Sequence, residues 1–121
     1  MQSEPPSEFE AAVLAKIASE TSDEALRAQL TDNRVANREY TVVGCYSQLV
    51  PLEAAPITLE AYGSGEPILG PWFESPNVKY GGSTLLWFES GRVDCLEIMA
   101  NGDYFPENHA DLLPFTFVPG P

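Results

Sequence analysis

The sequence predicts an α+β domain in which two N-terminal helices pack on an antiparallel sheet of four or five strands. Three observations carry this expectation. The N-terminal quarter holds two helix-start signatures, each followed by apolar residues at helical spacing. From Val35 onward Tyr, Thr, Val and Cys replace Ala, Leu and Glu, the change in composition that accompanies a switch to strands. Finally, Gly81 to Ala100 (GGSTLLWFESGRVDCLEIMA) sets two runs of large apolar residues around Ser90-Gly91, where Gly allows the positive φ of a tight hairpin turn.

Met1 to Pro6 is polar and proline-bearing and reads as a flexible leader (1–6), followed by a single domain over 7–121. Ser7-Glu8-Phe9-Glu10 fits the capping box, with the Ser hydroxyl taking a backbone N–H and the Glu reaching back to the cap. Phe9, Val13 and Ile17 follow at spacings of four, with Ala12 and Leu14 widening the stripe into an amphipathic face. Thr21-Ser22-Asp23-Glu24 repeats the signature, so a second helix is expected from about Ser22 to Thr31 with Leu26 and Leu30 inward. Asp32-Asn33 is its expected stop, because Asn tolerates the left-handed conformation.

One long strand is expected over Arg38 to Leu49, with Gly44 marking a bulge or a close backbone approach and Pro51 ending it. Ile57 to Tyr62 reads as the next strand, between Pro56 and Gly63-Ser64-Gly65. Gly63 to Gly82 reads as a long loop, or as a loop hiding an edge strand around Asn77 to Tyr80. In the hairpin, a two-residue loop sets Glu89 opposite Arg92, Phe88 opposite Val93, Trp87 opposite Asp94 and Leu86 opposite Cys95. A three-residue loop with a bulge would slip that register. On the two-residue register both faces are apolar: Phe88, Leu86, Val93, Cys95 and Met99 on one, Trp87, Leu85, Leu96 and Ile98 on the other. The helices cover one face, which leaves the other for a partner or a second copy. Asn101-Gly102-Asp103 is a turn, Pro106 to Leu113 holds a single helical turn, and Phe115 to Val118, between prolines, is an edge strand.

Eighteen acidic against six basic residues give a net charge of −12. That sign argues against nucleic acid and against an anionic membrane surface, and it favours a basic protein as partner. No apolar run is long enough to span a bilayer and no secretory pattern opens the chain, so a cytoplasmic protein is expected. Cys45 and Cys95 lie in strand-like apolar surroundings without Cys or His neighbours, the setting of structural thiols rather than of a metal or redox pair.

No catalytic set is apparent, and no cofactor or metal is expected. The one histidine, His109, lies in Asp103 to Asp111, which has carboxylates but no metal-ligand spacing and reads as a solvated acidic turn. Gly63-Ser64-Gly65 and Gly81-Gly82-Ser83 lack the Lys and helix of a phosphate loop. Large aromatics that anchor and charges that rim are the makeup of a protein-binding patch, and the candidates are Trp72, Phe73, Glu74 and Tyr80 with Asp103, Tyr104, Glu107 and Asp111. Trp72 and Phe73 could instead tuck under the sheet. If a pocket opens between sheet and helices, Tyr40, Tyr46 and Glu97 are the candidates to line it.

Leu26-Arg27-Ala28-Gln29-Leu30, then Arg38-Glu39-Tyr40-Thr41-Val42-Val43-Gly44-Cys45-Tyr46, then Leu85-Leu86-Trp87-Phe88-Glu89-Ser90-Gly91-Arg92 with Leu96-Glu97 form an ordered pattern. It resembles a group of small bacterial proteins of unassigned function over about two thirds of the chain. Val43 and Cys45 depart from it, standing where Gly and an aromatic are expected. The resemblance implies a bacterial cytosolic protein and carries no activity or catalytic residue. The functional expectation is therefore a small acidic, non-enzymatic protein-binding module, such as an immunity or antitoxin-like inhibitor of a basic bacterial protein. A small-ligand or enzymatic domain and a homodimer are the alternatives.

Overall fold

The computed structural model describes residues 3–51 and 65–120. Helices α1 (Glu8–Glu20) and α2 (Glu24–Thr31) precede strands β1 (Asn33–Tyr40), β2 (Gly44–Pro51), β3 (Ile68–Leu69), β4 (Trp72–Ser75), β5 (Val78–Glu89), β6 (Arg92–Ala100) and β7 (Thr116–Val118), with a 3-10 turn at His109–Leu112. The α+β class holds with a larger sheet than expected: among the described residues it has seven strands in the order β1-β2-β6-β5-β4-β7, with β3 also on β5 and the pairings antiparallel.

The capping box at α1 forms as expected. Ser7 Oγ accepts from Glu10 N at 3.1 Å, and Ser7 N donates to Glu10 Oε1 at 2.8 Å. Phe9, Val13, Leu14 and Ile17 face the sheet and are buried. The second helix starts two residues later than expected, because Asp23 and not Thr21 is its N-cap, accepting from Ala25 N and Leu26 N. It ends at Thr31 with Asp32 as its C-cap, as expected, but by other means. Asn33 does not turn left-handed but begins β1, and its side-chain amide donates back to the Gln29 carbonyl.

The expected strand Arg38 to Leu49 is two strands. The chain reverses at Thr41-Val42-Val43, so that Tyr40 faces Cys45 and Asn33 faces Pro51. Three strand-favouring residues fill the turn, so composition gives no sign of it. Gly44 marks a close backbone approach, since a Cβ there would run into the Ile98 carbonyl on β6. The expected strand Ile57 to Tyr62 lies outside the described residues.

Most of the expected loop Gly63 to Gly82 is sheet. Thr84 holds it in place, its carbonyl accepting from Gly70 N at 3.0 Å and its hydroxyl donating to Pro71 O at 2.9 Å. The chain turns at Pro76-Asn77 into β5. Gly82 leaves room for the Phe73 ring, which lies where a Cβ would otherwise sit.

The central hairpin turns at Ser90-Gly91 as expected, both residues with positive φ, and Glu89 faces Arg92. Beyond Val93 its register departs from expectation: a bulge at Asp94 sets Trp87 opposite Cys95 and Leu86 opposite Leu96. That one-residue slip sorts the faces. Leu86, Phe88, Val93, Leu96, Ile98 and Ala100 are all buried beneath the helices, while Leu85, Trp87, Cys95, Glu97 and Met99 share the opposite, half-buried face. The membership of the two faces is therefore corrected, while the second face stays mostly apolar, with Glu97 among Leu85, Trp87, Cys95 and Met99. Gln29 of α2 locks the turn from below, donating to Gly91 O at 2.9 Å and accepting from Val93 N at 2.7 Å.

Candidate functional site

The capping box of α1 leaves the Glu10 carboxylate pointing at the sheet, and register supplies what meets it. Arg38 and Ser47 are cross-strand partners on β1 and β2. The Arg38 guanidinium grips the carboxylate as a fork, Nε to Oε2 at 2.9 Å and an Nη to Oε1 at 2.5 Å, and reaches Glu4 with its other Nη. The Ser47 hydroxyl donates to Oε2. From the C-terminal side the 3-10 turn brings His109, whose Nδ1 lies 2.9 Å from Ser7 Oγ and 3.5 Å from Glu10 Oε2.

Glu10 is fully buried. Burial by itself would raise its pKa, but the bonds from Arg38, Ser47 and Ser7 outweigh it and hold the carboxyl at about 2. Burial pushes His109 below its ordinary value, against the pull of Glu10, so the ring is neutral at pH 7. The Arg38 pKa is raised above its ordinary value, first by its bonds to Glu10.

Ser7, His109 and Glu10 have the composition of a nucleophile-base-carboxylate relay without its geometry. A relay needs the hydroxyl and the carboxylate on opposite ring nitrogens. Here both meet Nδ1, and Nε2 is buried with no hydrogen-bond partner. Ser7 Oγ is already the helix cap, and a carboxylate held at about 2 makes a poor base. The cluster is a structural knot that joins α1, β1, β2 and the C-terminal turn. The thiols offer no nucleophile either, because burial raises Cys45, and burial followed by Asp94 and Glu97 takes Cys95 to about 12.

His109 corrects the expectation of a solvated acidic turn. It is 6 % exposed and ringed by Tyr40, Phe105 and Phe9 at centroid distances of 5.8, 6.1 and 6.5 Å. Its ring lines a groove of about 490 Å³ together with Arg38 and Tyr40, with Glu4, Glu8 and Glu107 among the other lining residues. Tyr40 is thus on a groove, whereas Tyr46 and Glu97 face each other on the opposite side of the sheet, where Glu97 accepts from Trp87 Nε1 at 2.9 Å. The three pocket candidates do not share a pocket.

The binding-patch candidates also separate. Phe73 is core, packed edge-on to Phe9 with centroids 4.8 Å apart, and Trp72 is half-buried beside Phe117 and Gly120. Glu74 and Asp111 are exposed, with the Asp111 carbonyl accepting from Asn77. Tyr80, Asp103 and Tyr104 do come together, at the end of the sheet where β5 begins and β6 ends. Sequence reasoning missed their neighbours Val42 and Val43, hidden inside a supposed strand. It also missed Arg38 and Ser47, whose inward position follows only once the turn at 41–43 fixes which residues of each strand point in. No family model, no curated protein and no solved structure matches this chain.

Proposed function

We propose that this chain is a non-enzymatic protein-binding module for a basic protein, acting as an inhibitor of the immunity or antitoxin kind. The disposition of its charges carries the reading. Arg38 is paired with Glu10 and Glu4 and Lys16 with Glu20, while Arg27 and Arg34 bond neutral oxygens of Ala18, Thr21 and Ser3 and keep their charge. Glu8, Glu24, Asp32, Glu39, Glu66, Glu74, Glu107 and Asp111 are exposed to water. With a net charge of −12 and these carboxylates exposed, the field felt outside is strongly negative, and such a field speeds encounter with a cationic surface and can mask a cationic active site. A catalytic reading has less behind it, because the only serine-histidine-carboxylate cluster found among the described residues converges on one ring nitrogen.

Affinity capture on the immobilised chain at low ionic strength, from the cells that encode it, is expected to retain a basic protein that salt then releases. Retention of no basic protein under those conditions, where attraction reaches farthest, overturns the reading.

A further inference from the structure

The described residues include seven large hydrophobic side chains that are exposed, and four of them gather at one end of the sheet: Val42 (65 %), Val43 (50 %), Tyr80 (61 %) and Tyr104 (75 %). The backbone shows that they belong together. Val42 O accepts from Phe105 N at 3.0 Å, Val43 O from Ala100 N at 2.7 Å, and Gly81 O from Asn101 N at 2.9 Å. The Asp103 carboxylate closes the ring, accepting from Tyr104 N at 2.8 Å and Lys79 N at 3.1 Å, and Gly102 makes the bend with a φ of +65°. The turn at 41–43 and the loop at 101–105 are thus one hydrogen-bonded unit.

Two features set this place apart. Exposed turns ordinarily carry Gly, Asn, Asp or Ser, and β-branched valines at such positions gain nothing from water. The fold also fixes the backbone that presents the four side chains, so an interaction here would require little further ordering, and Tyr and Val have few rotamers to lose. The charge around them is mainly acidic. Asp103 lies within the unit, its carboxyl held below the usual range by the Tyr104 and Lys79 N–H groups, while Glu74 approaches Gly81 and lines a shallow pocket with Lys79 and Tyr80. Lys79 lies over the Tyr80 ring, 5.2 Å from its centroid.

We infer that Val42, Val43, Tyr80 and Tyr104 form the docking surface of this chain, and that its occupant is a basic protein segment presenting aliphatic or aromatic side chains interleaved with Lys or Arg. Apolar side chains seat on the valines and tyrosines, and the flanking cations meet the acidic rim. This inference rests on the proposed function and adds to it a place and a partner chemistry.

Two synthetic peptides of equal length and charge test it, one alternating Lys with Leu and one alternating Lys with Ser, each titrated into the 15N-labelled full chain. The Lys/Leu peptide is expected to shift the amides of 41–44, 78–81 and 102–105, and to bind at least tenfold more tightly than the Lys/Ser peptide. Val42→Ser and Tyr104→Ser are each expected to lower its affinity several-fold with thermal midpoints unchanged. Equal binding of both peptides with shifts spread over the acidic surface overturns the docking surface while leaving an acidic binding module standing. Shifts centred on another face, or self-association of the free chain through these residues, overturn it as well. Failure of both peptides to bind at low salt counts against the proposed function too.

Discussion

Two regions of this molecule invert the usual distribution of polar and apolar groups. Beneath α1 a carboxylate, a hydroxyl and an imidazole are buried with a half-buried guanidinium, and at the far end of the sheet two valines and two tyrosines stand in water. At Glu10 the first inversion is resolved inside the chain, because both carboxylate oxygens find donors and the fork from Arg38 returns much of the solvation lost on burial, while His109 Nε2 stays buried without a hydrogen-bond partner among the described residues. The second has no such internal resolution. Backbone hydrogen bonds join the two turns at this sheet end, and the four side chains stand outward from it. The contrast separates the two regions: the buried carboxylate has its partners within the chain, and the valines and tyrosines are left exposed.

The comparison is broken most severely at Glu10. Glu10→Ala leaves Arg38 half-buried without its fork and is expected to cost about 3 kcal/mol or more, read from urea unfolding. The same carboxyl sets the acid limb of stability. Its folded pKa lies below the ordinary value, so its contribution is present above about 4.5 and is lost as pH falls toward about 2. His109 adds an earlier loss. Its folded pKa is lowered from 6.5, so the unfolded chain takes up the proton first and stability declines as pH drops below 6.5. Unfolding curves from pH 7 to pH 3 are expected to show both declines, and His109→Gln is expected to remove the earlier one.

Next in size is Gln29→Ala, which removes the bonds from Gln29 to Val93 N and Gly91 O beneath the hairpin turn and is expected to cost about 2 kcal/mol. A loss under about half a kcal/mol would mean that the turn holds without α2. Gly44→Ala drives a methyl into the Ile98 carbonyl and must part β2 from β6, a change expected to cost about 1 to 3 kcal/mol in chemical denaturation. The smallest effect sharpens the contrast from the other side. Val42→Ser and Val43→Ser are expected to change stability by less than about 0.5 kcal/mol, since neither side chain supports the core. A large loss at either would make the exposed valines structural and remove the reason to seek their partner.

Much of the scaffold was legible because its signals are local. The Ser7–Glu10 capping box, the Phe9-Val13-Ile17 stripe, the Ser90-Gly91 turn and the proline-bounded edge strand are each written within a few residues. Of the candidate site, Tyr80, Asp103 and Tyr104 could be named from their chemistry, whereas Val42 and Val43 could not, because a valine reads as strand interior whichever way its side chain faces.

What the sequence alone determined is the α+β class, the place of the first helix and of the central turn, and an acidic surface, since capping, periodicity and net charge need no distant partner. Only the tertiary structure decided the turn at 41–43, the bulge at Asp94, the burial of His109 and the meeting of Glu10 with Arg38. Each of these depends on which strand lies beside which. A single slipped residue moves a side chain from one face of a sheet to the other, and that parity is fixed only when the strands pair.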